Sequence, residues 1–185
     1  MPALAAMDHG KISAELSPLA VPPGKHALLG GARAITKSPS AKPTREDVED
    51  CYGIASALEG LAARLAVERA QAEEIAHLRE LHQLLKEACQ KRDLARYFDL
   101  NSRFHRFIAE IARNERLYRL IDQLRQEIQR TRILSLHLPE RLDYSMREHD
   151  QILDAFLKKN PQLAESTVVR HLNNQMETLK RALAR

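Results

Sequence analysis

From about residue 44 onward, apolar residues recur every three or four positions, and the pattern repeatedly breaks and restarts. Val48, Cys51, Ala55, Leu58, Leu61 and Leu65 keep helical spacing to about Ala70. Thr44, followed by Arg-Glu-Asp, reads as an N-cap with an acidic first turn. Ile75, Leu78, Leu81, Leu85 and Ala88 mark a second helix over about 72–90. Asp93 opens a third that runs to Arg113, Asn114 reads as its C-cap, and a fourth helix spans about 115–135. The run His137-Leu-Pro-Glu makes the next break, with Pro139 acceptable in a first helical turn. A fifth helix over about 139–159 stops at Lys158-Lys159-Asn160, and Pro161 starts a sixth that reaches almost to Arg185. No strand alternation and no internal repeat follow residue 45. Amphipathic helices joined by short connections predict an all-α, antiparallel bundle over residues 46–185.

Residues 1–45 have a different texture. Six of the eight prolines and four of the six glycines lie there, and no period is sustained. The expectation is a mostly irregular arm. The arm also changes the meaning of the charge: its six cations and two anions give +4, the net charge of the whole chain. The basic balance thus describes the arm, and the bundle itself offers no nucleic-acid-binding face. No run approaches the roughly 20 apolar residues that span a bilayer. The start, MPALAAMDHGK, lacks the basic-then-apolar order of a secretory signal. Cys51 and Cys89 stand far apart in helical patterns and read as reduced, buried thiols of a cytoplasmic protein without membrane contact.

Candidate chemistry lies where polar residues interrupt apolar stripes. On the third helix Leu94, Phe98, Phe104, Ile108 and Ala112 share a face, with Asn101 and His105 near its centre, one turn apart. His149 repeats the event on the fifth helix, among Leu142, Met146, Ile152, Leu153 and Phe156. On the sixth, the column Ala164, Val168, His171, Gln175, Leu179 places His171 toward one edge of the stripe. A single such histidine is usually a satisfied core residue. Three on three helices also fit a metal site, since imidazole is a common ligand of divalent transition metals. Both readings are open at this point. His77, His82, His9, His26 and His137 read as solvated. At the end of the fourth helix the stripe gives way to Arg130, Thr131, Arg132 and Ser135, which fits either an anion pocket or an exposed, cation-favoured helix end.

The segments YGIASALEGLAARLA, LNSRFHRFIAEIARNERL and REHDQILDAFLKKNPQLAESTVVRHL resemble the FCD effector domain of FadR-type GntR transcriptional regulators. The resemblance covers about residues 46–182. It implies a bundle of six or seven helices that forms a homodimer and binds a small organic acid. It also implies a divalent metal, zinc first and nickel or manganese after it, on Asn101, His105, His149 and His171, the residues the stripes single out. Arg132, with Arg130 and Thr131 beside it, becomes a candidate effector contact. Two departures stand out. Ala55 occupies the first-helix position where relatives commonly carry an arginine, and Asn101 is the neutral variant of an acidic ligand. A third concerns residues 1–45, where GGARAITKS only faintly resembles a last wing strand and no complete winged helix-turn-helix is legible. DNA contact is therefore expected only through a missing domain or a full-length relative.

The leading expectation is a metal-assisted, metabolite-sensing domain of a transcriptional regulator, not an enzyme. The alternatives are a metal-free helical dimerisation module and, behind it, a metal-dependent hydrolase. The hydrolase lacks a companion acid or base, because Glu148 adjoins His149 but points roughly 100° away on an ideal helix.

Overall fold

The structure, a computed structural model, describes residues 44–132 and 139–184, apart from the side chains at 130–132 and 139–140. Six helices follow in order: α1 (Arg45–Arg69), α2 (Ala72–Gln90), α3 (Leu94–Ile111), α4 (Glu115–Arg132), α5 (Pro139–Leu157) and α6 (Pro161–Leu183). There is no strand among the described residues. The expected irregular arm lies outside the described residues up to position 43, as do residues 133–135, given above to the fourth helix, and His9, His26 and His137.

Local chemistry explains most of the boundaries. Thr44 accepts a hydrogen bond from the Asp47 amide while the Asp47 carboxylate accepts from the Thr44 amide, a reciprocal capping box worth about 1 kcal/mol. Asp93 caps α3, and Asn160, followed by Pro161, caps α6. Asn114 does not close α3: its side chain accepts from the Leu117 amide at 3.2 Å and so starts α4. The helix ends instead at Ile111 with Ala112 as its C-cap, and Arg113, at φ 47°, turns the chain out. The α2–α3 and α5–α6 connections do the same through Arg92 and Lys159, at φ 54° and 50°. Both close Schellman pairs, the second through Asn160 N–H to Ala155 O and Lys159 N–H to Phe156 O.

Small residues set the closest packing. Along α1, Ala55, Gly60, Ala62, Ala63 and Ala66 are buried, and α6 lies against this helix. A Cβ at Gly60 would stand 2.7 Å from Val169 Cγ2, so glycine is what lets the two backbones approach there. Helix α1 also packs on α3 and α4, while α5 packs between α2 and α6. The main core joins Leu78, Leu85, Phe104, Ile108, Ile152, Phe156 and Leu172 from α2, α3, α5 and α6. These are the helices that carry the inward histidines.

Candidate metal centre

Asn101, His105, His149 and His171 are all inside, each at most 3% exposed. The edge position expected for His171 was an underestimate. It is fully buried, because α6 packs on both α1 and α5 and so has a wide inward face. The three rings converge: centroids are 5.3 Å apart for His105 and His149, 5.1 Å for His105 and His171, and 4.7 Å for His149 and His171. One ligand nitrogen from each lies within 4.8 Å of the others. Asn101 is one turn before His105 on α3 and wholly buried.

The hydrogen bonds around the rings follow a single rule. Each Nδ1 faces an acceptor: the Glu59 carboxylate at 3.2 Å for His105, the Ser145 carbonyl at 2.7 Å for His149, and the Glu148 carboxylate at 2.7 Å for His171. An acceptor at Nδ1 holds the proton there, which puts the lone pair of the neutral ring on Nε2. Metal-binding histidines are almost always oriented in this way, by a carboxylate or carbonyl on the nitrogen remote from the ion. Three converging imidazoles are a donor set that suits a divalent transition metal.

Both carboxylates are themselves neutralised. Glu59 pairs with Arg125 from α4, and Glu148 pairs with Arg141 at 3.1 Å and accepts from Asn174 at 2.8 Å. Glu59 and Glu148 are 4% and 5% exposed. Burying ion pairs is poor value for stability alone. Two such pairs, each ending on a ring of the triad, therefore read as parts of the site. Tyr97 adds a further brace, donating from its hydroxyl to Ser145 Oγ at 3.0 Å beside His149.

Glu148 corrects the expectation that it points away. It lies round the helix from His149, but α5 has a neighbour on that side too, so the direction leads into α6 and onto His171. Glu59 escaped notice although the signal was present. It sits between Ala55 and Ala63 in a buried column of α1, a charged residue interrupting a small-residue stripe. His82 is another correction: it is 9% exposed and its Nε2 lies 2.9 Å from Asp150. Burial lowers its pKa, and the nearby carboxylate only partly opposes this. His77 is half exposed beside Glu80, as a solvated histidine should be. Both cysteines are free; Cys89 is buried and Cys51 half-buried, its thiol pushed up to about 11 by desolvation and then by Glu127. Arg130, Thr131 and Arg132 form the last turn of α4, but their side chains lie outside the described residues. Ala55 is buried in the core against Val48 and Tyr52.

Comparison with known proteins places this geometry. Residues 50–174 match the FCD domain family. The chain is 30% identical over 144 residues to the uncharacterized HTH-type transcriptional regulator YdhC of Bacillus subtilis (strain 168), covering 76% of this chain and 63% of YdhC. Among solved structures it is similar to E. coli McbR/YncC, with a TM-score of 0.72 at 20% identity over 79% of this chain and 76% of that one. It is also similar to the metal-free FCD domain of TM0439, with a TM-score of 0.66 at 19% identity over 78% and 99%. YdhC is an HTH-type transcriptional regulator, and the two solved structures share the fold. No described helix is long and apolar enough to cross a membrane. The matched segment takes in α2 to α5 whole, most of α1 and His171 on α6, and on that ground the chain belongs to the FCD family, the effector-sensing domain of GntR-type transcriptional regulators.

Proposed function

We propose that this domain senses a small organic acid at a divalent metal ion held by His105, His149, His171 and Asn101. The observation that carries the reading is the common orientation of the rings, with an acceptor on every Nδ1 and the ligand nitrogens gathered within 4.8 Å. A bound ion supplies positive charge and open coordination positions for effector oxygens. Zinc fits three imidazoles best, with nickel and manganese behind it. Charge balance favours an anion. The four ligands are neutral and both nearby carboxylates are already matched by Arg125 and Arg141, so the charge of the ion is left for the effector to meet. The end of α4, with Arg130, Thr131 and Arg132, is the proposed second contact for that anion. Its support is that α4 already reaches the triad's surroundings through Arg125.

In this reading the domain acts in the cytoplasm as a homodimer. Exposed Ile54 on α1 and Leu120 on α4, two helices that pack together, support a subunit contact on that side. Effector binding across α3, α5 and α6 biases a two-state arrangement of the subunits. DNA is read by a separate DNA-binding domain, in the same regulator or in a full-length relative. A metal-free sensor is the second reading, favoured by one contact: the Gln175 amide N–H already satisfies His171.

Elemental analysis of purified protein beside its His105→Ala variant, with no metal added, separates these. Near-stoichiometric zinc, nickel or manganese in the wild type alone is expected. Negligible metal in both proteins sinks the metal reading and leaves the metal-free sensor.

A further inference from the structure

Gln175 stands one turn beyond His171 on α6, just past the segment that matches the family. It is buried, 5% exposed, and its amide nitrogen lies 2.5 Å from Nε2 of His171. The contact at the other ring nitrogen decides which end of the carboxamide belongs there. The Glu148 carboxylate, paired with Arg141, lies 2.7 Å from Nδ1 and takes the ring N–H there, so Nε2 is the accepting nitrogen and the Gln175 N–H donates to it. The other end of the carboxamide is unsatisfied: Oε1 is buried and has no hydrogen-bond partner among the described residues. A buried carbonyl oxygen without a donor is a cost that folded proteins rarely carry without use.

We propose that Gln175 is a further ligand of the candidate metal centre, and that its carboxamide turns over on metal binding so that Oε1 faces the ion beside His171. The proposal rests on the metal reading of the triad. With a cation on Nε2 of His171, the Gln175 N–H loses its acceptor and points at positive charge. Rotation about the terminal torsion exchanges N–H for carbonyl oxygen without moving the backbone, because that torsion is broad and roughly two-fold. The same rotation gives Oε1 the partner it lacks. Gln175 thus holds the His171 lone pair in the metal-free protein and joins the donor set in the loaded one.

The test is titration of the full chain with Co²⁺ alone, read by visible absorption, and with Zn²⁺ by competition with a chelating dye. Gln175→Leu, which keeps the bulk and removes the oxygen, is expected to weaken binding about tenfold or more. It should also shift the cobalt spectrum toward that of a lower coordination number. Gln175→Glu, which keeps an oxygen at the same reach, should bind at least as tightly as wild type. Circular dichroism of both variants checks that the bundle is intact, and the Glu variant keeps the question answerable if the Leu variant misfolds. Unchanged affinity and spectrum in Gln175→Leu overturn the assignment while leaving the histidine site standing. Tighter binding overturns it too, and makes Gln175 a plug. A wild type that takes up no cobalt or zinc removes the metal reading itself, and Gln175 with it.

Discussion

Every ring of the triad is gripped at Nδ1, but the grips differ in chemistry. His149 uses a backbone carbonyl of its own helix, whereas His105 and His171 use carboxylates brought from α1 and α5. A charged acceptor raises the basicity of the ring as well as fixing its tautomer. Glu148→Gln keeps an acceptor oxygen near His171, removes the charge, and leaves Arg141 buried without its counterion. Metal affinity in this variant is expected to fall about 10–100-fold, measured by the same dye competition. An unchanged affinity would mean that Glu148 serves packing alone. Asn101, His105 and His149 were legible in the sequence because each breaks an apolar stripe near its centre. Glu148 was not, because reading one helix at a time assumes a single buried face, and α5 has helices on two sides.

At the scale of the element, α1, α3, α4 and α6 begin on side-chain caps, and three helices end on left-handed residues that are not glycine. Lys159 is the cleanest of these: exposed, at φ 50°, and held by the backbone pair of a Schellman motif. A left-handed backbone costs a non-glycine residue on the order of 1–2 kcal/mol. Part of that is offset by the greater unfolded-state freedom of glycine. Lys159→Gly is therefore expected to stabilise the bundle by about 0.5–1 kcal/mol, read as a higher urea midpoint with an unchanged slope. A lower midpoint would show that the lysine side chain contributes more than its backbone loses. The helix ends at Arg92, Arg113 and Lys159 fell close to where periodicity stopped. The role of Asn114 did not, since a polar residue between two helices can cap either one, and only hydrogen-bond geometry chooses.

Across the whole molecule, the candidate site ties together elements far apart in sequence. The proposed ligands come from α3, α5 and α6, and the carboxylates on their rings from α1 and α5. A ligand that binds only the folded arrangement stabilises it by mass action, by about 2.7 kcal/mol at a hundredfold excess over Kd. For a bundle of this size that corresponds to a rise in Tm of roughly 5–15 °C. Zinc should produce such a rise in the wild type, a chelator should reverse it, and His105→Ala should show neither. A wild-type Tm indifferent to both zinc and chelator would count against a metal bridging these helices.

The sequence alone determined the helices, because their 3.6-residue periods, caps and breaks are local properties of the chain. It also determined which polar residues face inward from the centre of a stripe. The tertiary structure decided the rest. It decided that three histidines from different helices meet, that each Nδ1 finds an acceptor, and that the buried Glu59 on α1 pairs with Arg125 of α4 while Glu148 on α5 reaches His171 of α6. These outcomes depend on which helix lies against which, and on the several buried faces a helix acquires when neighbours surround it. One-dimensional periodicity carries no record of those neighbours.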